Sequence, residues 1–132
     1  MDSLHILVVD DEETTLKSMV LVLEQGGHKV TSVGSAEGAL DLMAGKKGGE
    51  KQFDFMLFDI HMPGMTGPQL LAEMEQRGLR LPSLAITGQA SEEAAAVLQE
   101  MGCHILQKPF HGPQLLERIS TILLPPQQFP DF

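Results

Sequence analysis

Tryptophan and tyrosine are absent from the sequence, and cysteine occurs once, as Cys103. A flavin carrier would want such rings for stacking, and a lone thiol leaves no internal disulfide. Cationic side chains are scarce too: Lys and Arg number 9 against 18 Asp and Glu, a formal charge of -9. Nucleic-acid binding depends on phosphate neutralisation by Lys and Arg, so this balance argues against a directly bound nucleic acid and for metal, cationic or protein partners. The only basic clustering, Lys46, Lys47 and Lys51, falls in a Gly-rich stretch that reads as a mobile surface loop. No apolar run approaches the roughly 18 residues of a membrane span, so no membrane partner is expected. Asp10 and Asp11 interrupt the one apolar stretch near the N-terminus, no signal peptide is read, and the expected location is cytoplasmic. At 132 residues the chain suits one domain with a real core and leaves no room for a second.

What the chain does have is four short apolar runs, each leading into a residue able to handle a phosphoryl group. His5 to Val9 leads to Asp10 and Asp11, Phe55 to Phe58 leads to Asp59, Leu84 to Ile86 leads to Thr87, and Ile105 to Gln107 leads to Lys108. Val30 to Val33 reads as a further, more polar strand. Between the runs lie segments of helical spacing. Leu16, Met19, Val20 and Leu23 mark the first, stopped by Gly26 and Gly27; Ser35 caps a second with Ala36, Ala39, Leu40 and Met43 on its apolar face. Pro68 opens a third bearing Leu70, Leu71 and Met74, and Ser91 caps a fourth bearing Ala94, Val97, Leu98 and Met101. Leu115, Ile119 and Ile122 mark the last, which Pro125 and Pro126 end.

Alternating strands and helices imply right-handed crossovers and a parallel sheet covered on both faces. The apolar first, third and fourth strands fit its centre and the second fits an edge. The folded domain is expected to span residues 1–124, with 125–132 a linker stub or tail. Such sheets bind ligands at the carboxyl ends of their strands, the edge where Asp10, Asp11, Asp59, Thr87 and Lys108 would meet.

Three carboxylates gathered there would repel one another and need a cation between them. Oxygen-only ligands suit Mg2+. A carboxylate can itself attack phosphorus, and Asp59, alone at the end of the most apolar strand, is the candidate nucleophile. Charge in such a transfer spreads over the phosphoryl oxygens, which Lys108 would neutralise and the Thr87 hydroxyl would hydrogen-bond. Gly88 beside Thr87 would let the loop approach closely, and Pro109 after Lys108 could hold a cis bond that aims the ammonium inward. The histidines at 5, 28, 61, 104 and 111 show no paired metal-binding spacing, so zinc is not expected. The Met residues read as core filler and Cys103 as buried and inert.

Val8-Val9-Asp10-Asp11-Glu12, Asp59-Ile60-His61-Met62-Pro63-Gly64, Thr87-Gly88 and Lys108-Pro109-Phe110 resemble the receiver (response-regulator) domain of two-component phosphorelay signalling, from about Ile6 to Leu124. The resemblance implies a flavodoxin-like α/β fold, a five-stranded parallel sheet of order 2-1-3-4-5 with five helices on both faces. It implies a module, not an enzyme, that accepts a phosphoryl group on Asp59 from a sensor histidine kinase or phosphotransfer protein, assists its own phosphorylation and dephosphorylation, and switches a surface for a downstream effector protein or domain. Mg2+ would be held by Asp11, Asp59 and the backbone carbonyl of His61, with Asp10 assisting, and Thr87 and Lys108 would sense the phosphoryl group. Family members often carry a Tyr or Phe three residues before the Lys, a position that is Ile105 here. The connection from Gly102 to Lys108 is one residue shorter than usual, so His104 is the alternative occupant. With no ring to swing, the response at the face of the fourth helix, fifth strand and fifth helix would rely on Thr87 and the Gly88–Ser91 loop. The competing reading is a Mg-dependent phosphohydrolase with an Asp nucleophile; haloacid-dehalogenase-like enzymes generally place a second Asp two residues on, where this chain has His61.

Overall fold

A computed structural model describes residues 3–45, 52–88 and 92–123. Five strands alternate with five helices: β1 (His5–Val9), α1 (Glu13–Gln25), β2 (Lys29–Val33), α2 (Ala36–Ala44), β3 (Phe55–Asp59), α3 (Gly67–Gln76), β4 (Ser83–Thr87), α4 (Glu92–Glu100), β5 (His104–Gln107) and α5 (Gly112–Leu123). The strands form one wholly parallel sheet in the order β2-β1-β3-β4-β5, the fold expected from the sequence. Side chains alternate across each strand. Leu7, Val9, Met56, Phe58 and Ala85 therefore meet α2, α3 and α4, whereas Ile6, Val8, Phe55, Leu57, Leu84 and Ile86 meet α1 and α5. Because helices cover both faces, the runs Ile6–Val9, Phe55–Phe58 and Leu84–Ile86 are apolar without alternation, and each fully buried Leu or Phe contributes about 1.5–3 kcal/mol. β2, with Lys29, Thr31 and Ser32, lies at an edge.

Strand ends run past the apolar pattern: β2 begins at Lys29 and β3 and β4 take in Asp59 and Thr87. A parallel ladder is made by backbone groups, so a polar side chain does not end it. The α2 cap is as expected, with Ser35 Oγ accepting the Gly38 N–H at 3.0 Å. At α3 Pro68 is only part of the signal. Thr66 and Gln69 form a reciprocal capping box in which Gln69 Oε1 accepts the Thr66 N–H at 2.9 Å. Lys46, Lys47 and Lys51, the Ser91 cap, Pro125 and Pro126, and the 125–132 tail lie outside the described residues. No helix among the described residues is long and apolar enough to cross a membrane. Cys103 is buried against Ser83, and burial pushes its thiol up to about 11. Thiolate is therefore scarce at neutral pH.

At the opposite end of the sheet from the candidate site, His28 is buried in the turn between α1 and β2. Its Nδ1 accepts the Leu4 N–H at 3.1 Å, and Nε2 is buried with no partner among the described residues. Burial holds its pKa below the ordinary value. The unfolded chain then binds more protons than the folded one below about pH 6.5, so this contribution to stability is lost as pH falls. Urea melts from pH 7.5 to 5.5 should show a falling midpoint, and His28→Gln, which keeps an acceptor for Leu4, should flatten that slope.

Candidate functional site

Sheet register determines what meets at the carboxyl edge. Val9 lies level with Phe58, Asp59 with Ile86, and Thr87 with Gln107, so Asp10, Asp59, Thr87 and Lys108 fall at neighbouring heights. Backbone bonds at and beyond the strand ends hold them there. Asp10 N–H donates to the Val33 carbonyl at 3.1 Å, Ile60 N–H to Ile86 at 3.0 Å, and Lys108 N–H to Thr87 at 2.7 Å.

One carboxylate oxygen from each of Asp10, Asp11 and Asp59 can be chosen so that all lie within 4.8 Å of one another. Asp10 is almost wholly buried, Asp11 exposed and Asp59 between them. Glu12 N–H donates to Asp10 Oδ1 at 2.8 Å, while Oδ2 is buried with no hydrogen-bond partner among the described residues. Burial raises the Asp10 pKa, and the Asp59 and Asp11 charges add to it against the Glu12 N–H and Lys108. Asp59 Oδ1 accepts the His61 N–H at 2.9 Å, and Lys108 Nζ stands 3.7 Å from its Oδ2. Among the described residues, one ammonium facing three carboxylates leaves an excess of negative charge. An orphaned buried oxygen within an all-oxygen cluster is the environment a hard divalent cation such as Mg2+ fits.

Thr87 is buried at the end of β4 beside Lys108, and the Lys108–Pro109 peptide is cis. The expected role of Gly88 needs correction. A Cβ built there would meet Lys108 Cδ at 3.8 Å, an ordinary contact, so the close approach does not itself demand glycine. Beside the site, it is Gly67 that close packing restricts to glycine. A Cβ there would fall 2.7 Å from the Phe58 ring and 3.1 Å from Ile60 Cα, directly behind Asp59. Sequence reading passed over it, and over the Glu12 N–H that steadies Asp10, because neither is carried by a reactive side chain. Ile105 pairs with Ala85 and packs with the α4 cluster, while the His104 side chain is exposed. His61 is exposed and meets Asp59 through its backbone.

A family model described as the response regulator receiver domain matches residues 6–120. Among curated proteins, the sensory/regulatory protein RpfC of Xanthomonas campestris is 32% identical over 131 residues, covering 96% of this chain and 17% of its own length. The response regulator SaeR of Staphylococcus aureus is 29% identical over 120 residues, covering 90% of this chain and 50% of its own length. The chain thus spans half or less of the length of these relatives. Among solved structures, a response regulator receiver domain protein from Clostridium thermocellum superposes with a TM-score of 0.80 at 25% identity, covering 90% of this chain and 93% of that one.

Ionised Asp10 opposes folding at neutral pH, since its folded pKa is raised and stability falls as pH climbs above 3.8. Asp10→Asn should raise the metal-free melting temperature by about 3–5 °C, the shift that about 1 kcal/mol produces in a domain of this size. Calorimetry in EDTA checks it, and the gain should shrink when Mg2+ is added.

Proposed function

This chain belongs to the response regulator receiver domain family, and on that premise we propose that Asp59 is its phosphoacceptor. The supporting observation is the 3.7 Å approach of Lys108 Nζ to Asp59 Oδ2 beside the Asp10 and Asp11 carboxylates. The donor is a phosphohistidine of a sensor kinase or phosphotransfer protein. An Asp59 carboxylate oxygen bonds to phosphorus as the P–N bond breaks, and the departing imidazole nitrogen keeps the electron pair. Asp11, Asp59 and the His61 carbonyl, with Asp10 assisting, would hold Mg2+, which when bound neutralises charge on the transferring group. Lys108 neutralises a further oxygen and Thr87 donates a hydrogen bond to another, so both sense the acyl phosphate. The same groups serve its hydrolysis, in which water attacks phosphorus and the carboxylate leaves.

Receiver domains are signalling modules rather than classical enzymes. The phosphohydrolase reading is disfavoured: the relatives are sensors and regulators, and His61 stands where such a hydrolase would have its second Asp. We place the module in the cytoplasm with an effector protein or domain as its reader and no nucleic acid bound by this domain, and residues 1–124 form its body. Ile105 occupies the switch position without a ring to turn, so a response at the α4–β5–α5 face depends on Thr87 and the loop that follows.

Acetyl phosphate with Mg2+ should add one phosphoryl group, about 80 Da by intact mass, to a labile carboxylate. Asp59→Asn should abolish the gain; full labelling of that variant would refute the assignment. In a separate measurement, millimolar Mg2+ should raise the melting temperature of the native chain through preferential binding to the folded state. Asp11→Ala should lose most of that rise, and an undiminished rise would remove Asp11 from the ligand set.

A further inference from the structure

An open groove of about 480 Å3 runs between α2 and α3, away from the carboxylate cluster. Glu37 from the first turn of α2 forms one wall, Met65 closes one end, and Gln69, Ala72, Glu73 and Gln76 line the other side. The last four follow i, i+3, i+4, i+7 spacing and make one continuous stripe on α3, opposite the buried face of Leu70, Leu71 and Met74. At its centre Ala72 is exposed and has no bulk to hold a neighbour away. A second helix can therefore approach to the usual interaxial distance of about 8–10 Å.

Charge decides which helix. Carboxylates stand on both sides of the groove, and among the described residues no Lys or Arg lines it. Arg77 reaches Glu73 at 2.9 Å, but both groups are substantially exposed and such a pair is weak. An acidic helix would be repelled, and an all-apolar one would desolvate Glu37 and the weakly paired Glu73 with no added counter-charge.

The groove is also wired to the acceptor. Gly64, a further lining residue with φ +82°, has Glu37 Oε1 3.3 Å from where its Cβ would lie. Gly64 and Met65 belong to the short loop that begins with the His61 N–H bound to Asp59 Oδ1 at 2.9 Å. Converting that carboxylate to an acyl phosphate changes the acceptor for this N–H, and the groove wall lies three residues further along. With Ile105 unable to swing a ring, this loop is a direct route from Asp59 to an open binding surface.

We propose that the α2–α3 groove docks a short amphipathic helix of a partner protein carrying Lys or Arg on both flanks, with an affinity that changes when Asp59 is phosphorylated. The phosphorylation dependence rests on Asp59 being the acceptor; the preference for a basic helix does not.

The probe is a synthetic Lys/Ala/Leu helix of about 15 residues, long enough to be helical, with a control in which Glu replaces every Lys. Amide NMR shifts at physiological salt should concentrate on residues 64–76 and the first turn of α2, with no binding of the control. The double variant Glu37→Gln, Glu73→Gln should weaken binding roughly three- to tenfold, as two partly exposed charge pairs would. Ala72→Trp, at an exposed position, should fill the groove and block it. Failure to bind, shifts centred on Asp11–Glu13, or indifference to these substitutions would overturn the docking site. Repeating the titration with beryllofluoride should change the affinity at least about twofold, with acetyl phosphate labelling followed by mass in parallel. If Asp59 labels and the affinity is unchanged, the coupling is wrong and the acceptor stands. If Asp59 does not label, the acceptor and the coupling both fall, and docking is judged on the unmodified chain alone.

Discussion

Hydrogen bonds between parallel strands set the height at which each strand gives up its last residue, and the candidate site exists only because those heights agree. β1 and β3 are in register at Val9 and Phe58, so Asp10 and Asp59 emerge side by side; β4 and β5 are in register at Thr87 and Gln107, so Lys108 emerges beside the threonine. Slipping one strand by a residue would reverse every inward-facing side chain on it and exchange the two apolar cores. The cores on the two faces therefore enforce the same register that the chemistry needs, and packing distant from Asp59 contributes to its geometry.

Concentrating carboxylates at that edge opposes folding. Among the described residues, Asp10 is buried with one oxygen lacking a hydrogen-bond partner, and a single ammonium faces three acidic groups. A wholly apolar edge would be easier to bury but could neither hold a hard cation nor receive a phosphoryl group. Functional sites commonly carry such local conflict, supported by the consistency of the structure around them. Here the support is backbone: the Glu12 and His61 N–H groups fix the carboxylates of Asp10 and Asp59, and Gly67 gives up a side chain so that α3 can start against Phe58 and Ile60, the chain neighbours of Asp59.

The loop after β3 links this edge to the outer surface. It fixes Asp59 at its start and begins α3 through the Thr66–Gln69 capping box at its end. Asp59 thus touches this loop through the His61 N–H and the end of β5 through Lys108. Two surfaces thus adjoin the site, one on α2 and α3 and the other on α4, β5 and α5. Ile105, half-buried and aliphatic, packs with the α4 cluster at the second.

The alternation of strands and helices, the central position of β1, β3 and β4 and the residues gathered at their ends were legible in the sequence. Apolar runs without alternation mean burial on both faces, and polar residues just beyond such runs have only the sheet edge to occupy. Thr66 with Gln69 was legible in principle as a capping box and was passed over in favour of Pro68. The requirement for Gly67 rather than Gly88, the burial of His28 and its bond to Leu4, and the α2–α3 groove could not be read in that way. Each depends on which atoms from distant segments come within a few ångströms. The sequence by itself determined which residues lie at which strand ends, because local periodicity and turn chemistry act over a few positions. Only the tertiary structure decided the distances among the three carboxylates and Lys108, because those follow from strand register and helix packing across the whole sheet.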